Sequence, residues 1–89
     1  VKLPNSRTDH PKNIVGPRIR RARLDFDPPL TQDQLSGRLA AKGLSLDRVA
    51  ITKIECGNRA VFDFELPTIA EVLKVDLQWL MTGKGNPRK

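Results

Sequence analysis

The 89-residue chain has one cysteine, Cys56, one histidine, His10, one tryptophan and no tyrosine. A lone cysteine excludes an internal disulfide and any metal site built from cysteines. His10 stands between Pro4 and Pro11 with neither a fixed position nor an orienting partner in view, which argues against a catalytic or metal-bound imidazole. No apolar run approaches the roughly 18 residues of a membrane-spanning helix. The polar first residues show no signal-peptide pattern, and no glycine loop follows a strand to cradle a phosphate. The expectation is therefore a cytoplasmic protein that is not an enzyme, with no cofactor, no metal and no membrane partner.

What is present is positive charge, a formal +6. Such a charge attracts polyanions, nucleic acid above all. It is unevenly placed. Lys2, Arg7, Lys12, Arg18, Arg20, Arg21 and Arg23 stand near the start against a single acid, Asp9, whereas residues 47–89 are nearly balanced.

Hydrophobic spacing predicts an all-α domain of five short helices over residues 14–83, with a disordered basic arm at 1–13 and a frayed tail at 84–89. Pro17 suits a first helical turn, and Ile19, Ala22, Arg23 and Phe26 share a face before Asp27-Pro28-Pro29 stops the helix. Thr31 with Gln34 reads as a capping box for a second helix that ends by Lys42-Gly43. Asp47 caps a third, over 47–57, with Ala50, Ile51 and Ile54 facing in. Asp63 is the expected cap of a fourth helix, whose inner stripe is Leu66, Ile69, Ala70 and Leu73. Asp76 caps a fifth carrying Leu77, Trp79, Leu80 and Met81.

The third helix carries the chemistry. With Ala50, Ile51 and Ile54 inside, Arg48, Val49, Thr52, Lys53 and Cys56 face out. Two cations, a hydroxyl and a small apolar group match the edges that bases present in a major groove. On composition alone, a solvated helix face fits equally well.

The residues from Ile19 to Trp79 resemble the lambda-repressor/Cro-type helix-turn-helix domains, also called the xenobiotic-response-element family. The features that carry the likeness are Arg23-Leu24, then Leu30-Thr31-Gln32-Asp33-Gln34-Leu35, then Ala50-Ile51-Thr52-Lys53-Ile54-Glu55-Cys56-Gly57-Asn58-Arg59. Ile69-Ala70-Glu71-Val72-Leu73-Lys74-Val75 and Leu77-Gln78-Trp79-Leu80 complete it. The resemblance implies a sequence-specific regulator of transcription, a repressor, binding double-stranded DNA as a homodimer on a near-palindromic site.

It also implies roles. Arg48, Val49, Thr52 and Lys53 contact bases. Gln32 contacts the DNA backbone or an adjacent base, Asn58 and Arg59 contact the DNA backbone, and Arg18, Arg20 and Arg21 are free to meet phosphate. Arg23 pairs with Glu55 to join the first and third helices. Leu77, Trp79 and Met81 are the candidate dimer contacts, with Trp79 read equally as a lid on the core. The arm is read as a solvated tail or as a minor-groove wrap, and Cys56 as an incidental small residue or a redox group beside DNA. The chain departs from the family pattern in a longer connection between Leu39 and Asp47, in Cys56, and in Lys74, where a helix-ending glycine is common. An antitoxin-like module that binds mainly a protein, or a helical adaptor without a nucleic-acid role, are the alternative functions.

Overall fold

A computed structural model describes residues 11–88. Among these the fold is all-α, with five α-helices and no strand. Helix α1 spans Gly16–Leu24, α2 Gln32–Ala41, α3 Arg48–Glu55, α4 Leu66–Leu73 and α5 Leu77–Thr82.

Local chemistry sets most of the ends. The Thr31 side chain accepts from the Gln34 N–H and the Gln34 side chain accepts from the Thr31 N–H, closing the capping box of α2. Asp47 accepts from Ala50 N–H and Asp76 from Trp79 N–H, so both acids cap as expected. The fourth helix differs. Asp63–Glu65 forms a 3-10 turn, and the buried Glu65 carboxylate accepts from the Phe62 N–H. α4 starts only at Leu66, because Pro67 lacks an N–H and belongs in a first helical turn. Its C-cap is Lys74 in the left-handed region, φ 59°.

One cluster of buried side chains draws on every helix: Ile19 and Ala22 from α1, Leu35 and Leu39 from α2, Ile51 and Ile54 from α3, Ile69 and Leu73 from α4, and Trp79 and Leu80 from α5. Burial of these apolar side chains is the main stabilising term.

Two segments expected to be loose are bonded to the domain. The tail 84–89 is expected to fray, but in its described part the Asp76 N–H donates to Pro87 O at 2.6 Å, and Arg88 donates to Leu73 O at 3.2 Å. Arg88 also stands over the Phe26 ring, 5.7 Å from its centroid. A guanidinium at the carbonyl end of a helix satisfies an acceptor that the helix leaves open. Of the expected arm, residues 11–13 lie against the end of α3, with Lys12 N–H donating to Gly57 O at 2.8 Å. Lys2, Arg7 and His10 lie outside the described residues.

Candidate nucleic-acid interface

The site begins with a buried ion pair. Arg23 on α1 donates from Nε to Glu55 Oε2 at 2.8 Å and from Nη2 to Glu55 Oε1 at 2.9 Å. Its remaining nitrogen donates to Leu30 O at 2.9 Å. The two side chains are 9% and 4% exposed. Both charges have lost most of their water, so the pair fixes geometry more than it adds net stability. Gln32, in the first turn of α2, extends the network: its amide donates to Glu55 Oε1 at 3.1 Å. Its carbonyl oxygen accepts from the Thr52 hydroxyl at 2.9 Å. Side chains from α1, α2 and α3 thus lock together at the spot where the second and third helices meet.

This lock decides which side of α3 faces water. Arg48, Val49, Thr52 and Lys53 are all exposed, Val49 by 56%. Beside them lies an open concavity of about 460 Å³ lined by Arg20, Arg23, Thr31, Gln32, Asp33 and Arg48. It combines the first turn of α2 with exposed cations from α1 and α3, an arrangement suited to an anion. Asp33 opposes this charge. It stands 3.8 Å from Arg48 Nε, with both side chains mostly exposed. Such an exposed pair is weak and exchanges readily for another partner.

Several candidate residues are placed otherwise than expected. Arg18, expected to be free for phosphate, is engaged inside the fold. Its guanidinium donates to Leu80 O at 2.7 Å and Met81 O at 3.1 Å, closing the carbonyl end of α5. Arg21 is exposed but lies 5.7 Å from the Trp79 ring centroid and 4.0 Å from Asp25. Arg20 is exposed at the concavity. Arg59 donates to Ala60 O at 2.9 Å and pairs with the buried Glu65 at 3.4 Å, so its charge is committed within the fold. Gln32 and Thr52 bond to each other, and Thr52 also lies 2.9 Å from Arg48 O. The Thr52 hydroxyl has one proton for these two acceptors. Asn58 is exposed, its N–H donating to Lys53 O at 2.7 Å. Cys56 is the exposed C-cap of α3.

The candidate dimer contacts separate. Trp79 is only 3% exposed and belongs to the core, and Leu77 packs partly against it. Met81, 42% exposed, borders a groove of about 290 Å³ with Ile14, Val61 and Leu66. Trp79 therefore acts as a lid rather than as a contact surface. The reason is register: Trp79 and Leu80 fall on the face of α5 that packs on the core.

Asn13 was missed in the sequence, where it was grouped with the arm. Its side chain touches both α1 and the end of α3. Its place three residues before a Gly-Pro helix start is the signal that would have found it. Among the described residues no group of His, Cys, Asp or Glu could hold a metal, and no helix is long and apolar enough to cross a membrane. No protein-family model, no curated protein and no solved structure matches the chain.

Proposed function

We propose that this protein is a sequence-specific double-stranded DNA-binding regulator of transcription, a repressor of the lambda-repressor/Cro type, that reads the major groove with α3. The observation that carries the reading is the Arg23–Glu55–Gln32–Thr52 network, which holds α2 against α3 while Arg48, Val49 and Lys53 project together from the exposed side of α3. In this reading Arg48 takes a guanine edge, Val49 a thymine methyl, and Lys53 a base or phosphate. Thr52 contributes its methyl group, since its hydroxyl is held by the protein. Gln32 orients the network at the first turn of α2. Phosphate contacts fall to Arg20, Arg21, the α2 N-terminus and the backbone N–H of Arg59, the side chains of Arg18 and Arg59 being engaged elsewhere. If two copies meet on a symmetric site through α5, the apolar surface that α5 brings to the contact is Met81, beside Ile14, which is 69% exposed.

Selection of bound sequences from random duplexes tests this reading. A defined consensus is expected, and its symmetry reports whether two copies bind. Affinity for the selected duplex falls steeply with salt as condensed counterions are released. Arg48→Ala weakens binding by about 1–3 kcal/mol and relaxes preference at one position. Equal weakening on every sequence removes Arg48 from the base readers.

A second reading is a protein-binding module of antitoxin or adaptor type. It is favoured by the stacked Phe62 and Phe64 rings, 5.6 Å apart and 53% and 70% exposed. Partner binding indifferent to salt and no selected duplex would decide for it.

A further inference from the structure

We infer that Asn13 is a positioning residue that clamps the turn after α3, so that the backbone N–H of Arg59 is held ready to meet DNA phosphate, an inference that rests on the DNA-binding reading. The end of a helix leaves carbonyls without partners inside it. Here they are met from the other end of the chain. The Asn13 side-chain amide donates to Ile54 O at 3.0 Å and to Arg59 O at 2.7 Å. An amide nitrogen carries two protons, so it serves both carbonyls at once, one on each side of the turn. The Asn13 oxygen accepts from the Gly16 N–H at 2.7 Å, which ties the same side chain to the start of α1. The amide orientation is therefore determined: reversed, its oxygen would face two carbonyl oxygens.

The neighbouring residues reinforce the clamp. Lys12 N–H donates to Gly57 O, and Pro11 covers Gly57, whose added Cβ would lie 3.2 Å from the proline Cβ. Gly57 holds φ 81°, a conformation that suits glycine. The turn is closed from inside by the Asn58 N–H to Lys53 O bond. The Gly57 N–H donates to Ile54 O, so with the Arg59 guanidinium committed to Glu65 this stretch offers DNA the Arg59 N–H, whose place depends on where the clamp holds the Arg59 carbonyl beside it.

Two variants of the full chain separate the clamp from simple capping. Asn13→Asp keeps an acceptor for Gly16 N–H and has no proton for Ile54 O or Arg59 O once ionised. Asn13→Ala removes all three bonds and adds no charge. Both are compared with the wild type on the selected duplex, well below their melting temperatures. Affinity for that duplex is expected to fall about three- to tenfold in each variant, as for one lost hydrogen bond, with the order of base preferences unchanged and, in Asn13→Ala, the slope of log affinity against log salt unchanged, because a neutral N–H contact releases no counterion. In the free protein, nitrogen relaxation is expected to show greater motion at Asn58 and Arg59. Slow solvent exchange of both Asn13 side-chain protons is expected in the wild type.

A weakened affinity in Asn13→Asp alone would be an effect of its charge and would overturn the proposal, as would unchanged affinities in both. Rapid exchange of the wild-type side-chain protons would refute the clamp without any variant. If the wild type itself shows no salt-dependent duplex binding, the DNA reading fails. The relaxation and exchange measurements then still report on the clamp.

Discussion

At the residue scale, the Arg23–Glu55 pair bears the heaviest consequence. Removing one partner of a buried pair leaves the other charged, dry and unpaired, which costs about 3–5 kcal/mol. Glu55→Ala abandons Arg23 with only the Leu30 carbonyl and also releases the Gln32 amide. A drop in melting temperature of more than about 10 °C is expected by circular dichroism, because 1 kcal/mol moves a domain of this size by roughly 4–8 °C. An unchanged midpoint would mean that the pair stands open to solvent. Its two members sit 32 positions apart. No local pattern joins them, and it was the likeness to a known family that suggested the pairing. Arg18 shows the opposite outcome. A cation in a basic stretch reads as a free charge, and the carbonyls that hold it lie 62 and 63 residues away. The same holds for Arg59, whose neighbour Glu65 is only six positions on but is aligned by a 3-10 turn that the sequence did not announce.

At the scale of the element, caps are short-range and were legible: Thr31 with Gln34, Asp47 and Asp76 each bond within three residues. Proline placed the first turn of α4 but hid the 3-10 turn before it. The end of α4 is the clearest case of a residue at odds with its backbone. Lys74 occupies the left-handed region with φ 59°, where a side chain costs about 1–2 kcal/mol relative to the right-handed form and glycine does not. Its side chain is exposed, so little packing is lost by removing it. Lys74→Gly is therefore expected to stabilise the domain by about 0.5–1 kcal/mol, less than the full steric cost because glycine also gains freedom in the unfolded chain. Urea titration followed by helicity checks this through a higher midpoint at constant slope. A lower midpoint would show that the lysine stem contributes more than its backbone costs.

For the molecule as a whole, the question is whether α5 and the tail are part of the cooperative unit. The sequence left this open, since Trp79 fitted a lid and a contact surface equally and residues 84–89 read as frayed. Three long-range ties answer it structurally. Trp79 is buried in the one core cluster, Arg18 of α1 holds the last carbonyls of α5, and Arg88 reaches Leu73 O while standing 3.8 Å from Asp25. Local unfolding favours segments with few buried apolar contacts, and α5 is not one of them, although it is only six residues long. The protein's single tryptophan makes the point measurable, because its fluorescence reports on α5 alone while far-ultraviolet dichroism reports on all the helices. The two signals are expected to follow one urea transition with the same midpoint and slope, as two-state unfolding requires. An earlier fluorescence midpoint would mean that α5 and the tail detach before the rest. That outcome would return Trp79 to the surface in a populated state and reopen its use as a contact between two copies.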